Sequence, residues 1–426
     1  VRELGTIDGP WPAPPRGGRR ARAGTAPDEA GGPSRGTNQA GVKLYNERLV
    51  LSLIRAHGSL SKVEIARITG LSAQTSSVIM KQLESDGLLR RQAPLRGKVG
   101  QPSVPFALDP EGSFAIGLKV GRRSADLVLM DFVGAPRRLV RSAYAYPEPG
   151  RLAAFVEAGL AEITAALAPA QRARICGLGI AAPFEMWSWE AEVGAPAAVI
   201  EAWRHADIAA TVRALVPWPV HFCKDATAAC AAELAFGRHG RLANYLYVFV
   251  ATLVGGGVVL DGSLYPGRAG YAGSIGSVLV AAPACEPPGV QRLIRCASLS
   301  TLEAMLRRAG LDPAVLGGAG DWGDLGAPLE QWIEQASDGL SMAIGSAVAV
   351  IDFEAVVIDG ACPAPVRARL VERTRDKVER TAPQGVAPVE VVEGSIGRDA
   401  RVLGAASLPL LAGFARDRDL LFRAGA

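Results

Sequence analysis

The chain has 426 residues, of which 49% are hydrophobic and 21% charged, so it can bury more than one core, and no apolar run is long enough to span a bilayer. Its net charge of +4 is unevenly spread: +2 over residues 1–41, +6 over residues 42–107 and −4 over the rest. A basic excess held on one short segment is the footprint of a nucleic-acid reader carried by a neutral-to-acidic body. The six cysteines stand at 176, 223, 230, 285, 296 and 362. Their scatter excludes a disulfide framework and fits reduced thiols. The stretch Val1-Arg2-Glu3 opens no apolar signal, so a soluble cytoplasmic protein is expected.

Residues 1–41 are rich in Pro, Gly, Ala and Arg and lack periodicity, which predicts a disordered basic leader. Leu44, Leu49, Val50, Leu53 and Ile54 then recur at helical spacing up to His57-Gly58. Ser61-Lys62-Val63-Glu64 reads as a capping box, in which Ser61 accepts from the backbone three residues on and Glu64 reaches back. The helix that it opens carries Val63, Ile65, Ala66 and Ile68 and stops at Gly70. Ser72 caps a third helix whose Val78, Ile79 and Leu83 are assigned to the core. Leu88-Leu89 and Val104–Leu108 form extended arms around the basic tip Arg96-Gly97-Lys98-Val99-Gly100-Gln101-Pro102. Three short helices and a basic hairpin over about 42–108 make a winged helix-turn-helix.

On the third helix, Gln74, Thr75, Ser77 and Lys81 are placed on the polar side. Gln can make a bidentate contact to adenine, and Thr offers a hydroxyl with a methyl for thymine. Ser72, at the helix start, joins this face, while Ser76, Ser77 and Lys81 suit phosphates. Arg96 and Lys98, with Gln101 beside them, suit a minor groove or the phosphates along it. Double-stranded operator DNA is the expected partner.

From Phe114 the pattern becomes alternating strands and helices. Ala115–Val120 and Ala125–Met130 are expected to pair around Gly121-Arg122-Arg123, with further strands at Ile175–Ile180, Val220–Cys223, Leu246–Val250, Gly257–Leu260 and Ala355–Ile358. This is an α/β body.

Three of its stretches carry a resemblance: Gly177-Leu178-Gly179-Ile180-Ala181-Ala182-Pro183, Lys224-Asp225-Ala226-Thr227-Ala228-Ala229-Cys230, and Gly255–Gly267 with Gly270-Tyr271-Ala272-Gly273-Ser274-Ile275-Gly276. They are similar to the ROK family, which joins sugar kinases to repressors. The resemblance implies a two-lobed, actin-like (ribonuclease H-like) body over 109–426, with lobe one about 109–224 plus 400–426 and lobe two about 225–399. It also implies a homodimer or homotetramer and a sugar-type effector.

The departures shape the expected function. The family's kinases open with Asp-Ile-Gly-Gly-Thr, whereas this chain has Lys119-Val120-Gly121-Arg122-Arg123. An ammonium cannot replace a carboxylate that serves a magnesium-bound nucleotide, so phosphoryl transfer is expected to be lost. At the family's zinc positions stand Ser277, Cys285, Pro287 and Arg292, so neither a zinc site nor a cofactor is expected. Asp225 stands where the kinases hold the general base, Lys224 replaces the flanking Asn, and Ser274 replaces a Glu. Asp225, Lys224, Ser274 and Ser277 are therefore the candidate effector contacts, with Trp187, Trp189 and Trp203 as ring-stacking alternatives or core residues. Two further readings stay open: a sugar kinase with an appended reader, and a DNA-binding protein that answers to no effector.

Overall fold

A computed structural model describes residues 39–94, 103–183, 196–282, 288–318, 320–381, 385 and 387–415. Its reader opens with helices α1 (Gln39–His57), α2 (Lys62–Thr69) and α3 (Ala73–Ser85). The Ser61/Glu64 capping box forms on both sides, and Gly70 closes α2 at φ 70°, a left-handed conformation that glycine adopts without strain. Strands β1 (Leu89–Arg91) and β2 (Phe106–Leu108) pair antiparallel, and Leu60 bridges to Phe106. Val50, Ile54, Ile65, Ile79, Met80 and Leu83 fill the space between them.

The body repeats one sheet plan. Strands β3 (Phe114–Val120), β4 (Ser124–Asp131) and β5 (Pro136–Ala143) form an antiparallel meander. Helices α4 (Pro149–Ala165) and α5 (Pro169–Arg172) lead to β6 (Ile175–Ala181), and α6 (Ala197–His205) and α7 (Ile208–Leu215) lead to β7 (Val220–Cys223). β6 and β7 add in parallel, giving the order β5-β4-β3-β6-β7.

After α8 (Asp225–Phe236), strands β8 (Tyr245–Val250), β9 (Gly255–Leu260) and β10 (Ser263–Tyr265) form a second meander. The small hairpin of β11 (Leu279–Ala282) and β12 (Gly289–Arg292) follows, then α9 (Ile294–Ala297), α10 (Leu299–Arg308) and α11 (Gly326–Val348). β13 (Ala355–Gly360), α12 (Ala364–Arg380) and β14 (Glu390–Glu393) complete the sheet β10-β9-β8-β13-β14. Each sheet is thus a meander extended on one side by two parallel strands, and the parallel additions need the helical crossovers that the chain supplies.

Helix α13 (Ala400–Phe414) comes back from the second sheet to lie on the first. Small residues permit it. A Cβ on Gly117 or Gly179 would overlap the helix backbone at Val402 and Ala405, and one on Gly404 would overlap the Ala228 carbonyl. Helix α8, with Ala226, Ala228, Ala229, Ala231 and Ala232 all buried, meets α13 on this bare-backbone face. Among the described residues no helix is long and apolar enough to cross a membrane.

The reader is joined to this body by a shared core. Val50, Leu51 and Ile54 of α1 pack in one cluster with Val128, Met130, Phe132, Val402, Ala406 and Leu410. Gly404→Val should therefore destabilise the full chain by about 3 kcal/mol or prevent folding, since backbone on both sides leaves no room to yield. Gly413→Ala, on the same helix with open space around it, should leave the urea midpoint essentially unchanged.

Candidate nucleic-acid interface and body cleft

Ser72 caps α3 by accepting from the Thr75 amide at 3.0 Å, and its hydroxyl lies 2.8 Å from that of Thr75. Both side chains are exposed but are engaged with each other at the helix start. Gln74, Val78 and Lys81, four and then three residues apart, line one exposed strip of the helix. Ser77 is half-buried and accepts from the Lys62 ammonium at 3.3 Å, which sets the start of α2 against the middle of α3.

Two assignments need correction. Ser76 is fully buried and its hydroxyl has no hydrogen-bond partner among the described residues, so it cannot reach a phosphate. It precedes Ile79, Met80 and Leu83 by three, four and seven residues, so the helical period turns it inward. Val78 is 60% exposed, although its apolar side chain suggested the core. Residue type pointed one way for each, and the period of the helix decided the other. Val63, at the start of α2, is likewise exposed. Arg91 of β1 pairs with Glu84 of α3 at 2.6 Å, tying the wing to the reading helix. Arg96, Lys98 and Gln101 lie outside the described residues.

Arg55, near the end of α1, faces the body. It donates to the Phe132 carbonyl at 3.0 Å, and its guanidinium lies 5.1 and 5.3 Å from the ring centres of Phe132 and Phe236. Burial lowers its pKa to about 10, with nearby Asp131 opposing. Arg174 donates to the carbonyls of Gly112 at 2.9 Å and Asp86 at 3.2 Å, adding a second tie to the end of α3.

The body's candidate contacts gather at the start of α8. Lys224 donates to Ser274 at 2.9 Å, and Ser274 donates to the Tyr271 carbonyl at 2.7 Å. Burial lowers the Lys224 pKa, against the pull of Asp225. Asp225 accepts from the Ala226 amide and lies 3.4 Å from Arg401 of α13, a residue outside the three family-like stretches. Arg401 also lies over the Phe249 ring, 5.4 Å from its centre. Ser277 is exposed on the next turn, and among the described residues its side chain makes no hydrogen bond to this group. Trp203 is buried and donates to the Pro147 carbonyl at 2.9 Å, so it packs the core, while Trp187 and Trp189 lie outside the described residues.

The turn between β3 and β4 is filled by its own lysine. Lys119 and Asp126 are cross-strand partners, and the ammonium donates to Asp126 at 3.2 Å and to the Ser124 hydroxyl at 2.6 Å and carbonyl at 3.2 Å. Tyr144 closes the turn by donating to the Gly121 carbonyl at 2.7 Å. Burial lowers the Lys119 pKa to about 8, Arg401 acts the same way, and Asp126 opposes both. Among the described residues no three His, Cys, Asp or Glu side chains converge to hold a metal, and Cys285 lies outside them. Burial pushes the Cys362 thiol up to about 12 and raises Cys230 well above its usual value.

A reader on an α/β body with two like-built sheets is the architecture of a regulator grown on a kinase-type fold. Residues 116–410 match the ROK family, and the chain belongs to it; residues 44–90 match the winged helix-turn-helix DNA-binding family. A putative xylose repressor from Caldicellulosiruptor sp. (strain Rt8B.4) is 26% identical over 57% of this chain and 60% of its own length. The chain thus matches less than two thirds of that relative. The solved structure of a ROK family transcriptional regulator, described as a homologue of the E. coli MLC protein, superposes with a TM-score of 0.61 at 18% identity, covering 88% of this chain and 98% of that one. A ROK family glucokinase from Streptomyces griseus, solved with glucose and AMPPNP, superposes at 0.54 and 19% identity over 70% of this chain and 99% of its own. Regulators and kinases share this fold.

Two measurements check the local chemistry. Ser76→Ala should hold or raise the melting temperature, by up to about 1 kcal/mol of stability, with DNA affinity unchanged; a selective loss of affinity would return Ser76 to the interface. Lys119 keeps its proton to 10.5 when unfolded but only to about 8 when folded, so the unfolded state holds more protons between those values and stability rises with pH there. The difference between wild type and Lys119→Met melting curves should show that rise and be flat below pH 8. A difference flat throughout would mean that the buried ammonium stays charged.

Proposed function

We propose that the protein is a cytoplasmic repressor that binds a double-stranded operator as a homodimer or homotetramer. A sugar or sugar derivative in the body cleft releases it, and no phosphate is transferred. The single observation that carries this reading is the β3–β4 turn, in which the Lys119 ammonium, bonded to Asp126 and Ser124, sits where the family's kinases place a nucleotide-serving carboxylate. A turn that carries a cation held by Asp126 and Ser124 lacks the carboxylate that serves a magnesium-bound triphosphate. The +6 charge of residues 42–107 and the exposed Gln74 and Lys81 support DNA as the partner.

The fold offers a direct route from effector to DNA. Helix α8 begins at Asp225, beside Lys224 and Arg401, and ends at Phe236 against Arg55 of the reader, a span of about 18 Å at the usual helical rise. An effector hydroxyl bonding to Asp225 competes with Arg401, and so acts on the α8–α13 pair that carries α1. Such control requires that the ligand bind the DNA-free arrangement more tightly than the DNA-bound one.

Sugars, sugar phosphates and amino sugars screened by thermal shift on the full chain should include one that stabilises it. At a hundredfold excess over Kd the gain is about 2.7 kcal/mol, with operator affinity weakened by a linked factor. Asp225→Asn should weaken that ligand and leave ligand-free DNA binding intact. ADP release over the same panel should stay at background; sugar-dependent release abolished by Asp225→Asn would overturn the reading.

A further inference from the structure

We propose that Val78 reads a thymine methyl in the major groove, within about two base pairs of an adenine read by Gln74. This rests on the DNA-binding reading above and names a determinant of the sequence that the reader selects. Val78 is 60% exposed in a strip otherwise made of Gln74 and Lys81, while the buried face of the same helix has kept a serine, Ser76, without a partner. Among the described residues nothing in the reader's own packing accounts for an apolar side chain there: Ile79, Met80 and Leu83 already form the core face. Val is also a poor choice for helix propensity on a solvated surface, by roughly half a kcal/mol against Ala.

The groove supplies what the protein does not. The C5 methyl of thymine is the one apolar group on the major-groove edge of the four bases, and it is matched by apolar side chains. Val is stiff at χ1 in a helix, so its two methyls are presented in one direction with little rotamer entropy left to lose. Gln74 and Val78 are four residues apart, about 6 Å along the helix axis, against about 3.4 Å between base pairs. The same helix therefore addresses neighbouring steps with an amide suited to adenine and a methyl pair suited to thymine. Lys62, anchored on Ser77, and Lys81 at the end of the strip supply the positive charge that phosphates require.

The test starts from duplexes selected by the full chain from a random pool. Each thymine in the preferred site is then replaced singly by deoxyuridine, which deletes only the methyl. For wild type, one thymine per half-site should lose about threefold to tenfold in affinity, the scale of one buried methyl group. Val78→Ala should bind thymine and uracil versions equally, and Val78→Thr, which keeps a branched methyl, should restore part of the discrimination. Gln74→Ala should relax a different column of the site and leave the uracil penalty in place. A flat uracil response in wild type, or an unchanged penalty in Val78→Ala, overturns the thymine contact alone. A wild-type penalty that vanishes in Val78→Ala while that variant keeps its fold by circular dichroism supports it. If Val78→Ala changes the oligomeric state and not the uracil response, the side chain serves contact between copies and the proposal fails. If no duplex is enriched at all, the DNA-binding reading fails with it.

Discussion

The contact of α8 with α13 is the constraint from which the other arrangements follow. Two helices meet with backbone nearly on backbone, Gly404 against the Ala228 carbonyl, because the buried face of α8 is built of alanines. That approach lets α13 reach the first sheet over Gly117 and Gly179 while still touching the helix that packs on the second. It also leaves Val402, Ala406 and Leu410 of α13 to pack in one cluster with α1 of the reader. Close packing of this kind has few alternatives short of a discrete shift of one element, and such elements suit a two-state response.

A buried charge exchange sets the β3–β4 turn of this body apart. An ammonium in the β3–β4 turn is costly to desolvate, and the lowered pKa of Lys119 reflects that cost. Asp126 across the strand and Ser124 in the turn offset part of it. Nearby, Arg401 holds Asp225, so the carboxylate at the kinase base position is already engaged by a cation of the same chain. The polar groups at the start of α8 are thus engaged with one another.

Much of the reader was legible because its signals are local. A capping box, a glycine at positive φ and a serine cap each act over three or four residues, and each formed where the residue types announced it. Of the body, strands β3, β4, β6, β7, β8, β9 and β13 could be read from apolar runs, with ends displaced by a residue or two at each except β7. The exposed β5 and the short β10, β11, β12 and β14 could not, since an edge or brief strand carries little apolar pattern. Ser76 and Val78 show the limit at single positions. Polarity suggested one side for each, but a helix commits every residue to a face by its period, and α3 holds too many apolar partners on the other face to rotate.

The sequence by itself determined the winged helix-turn-helix, the ROK-type body and the loss of the kinase's opening carboxylate at Lys119, because each is a matter of residue identity at short spacing. Only the tertiary structure decided that Arg401 meets Asp225 across 176 residues, that Trp203 belongs to the core, and that Arg55 joins the reader to Phe132 and Phe236. Contacts between distant segments depend on how two sheets and two helices stack, and no local pattern encodes that stacking. The position of Val78 on the outward strip belongs to the same class: it follows from which face of α3 the rest of the reader chose to bury.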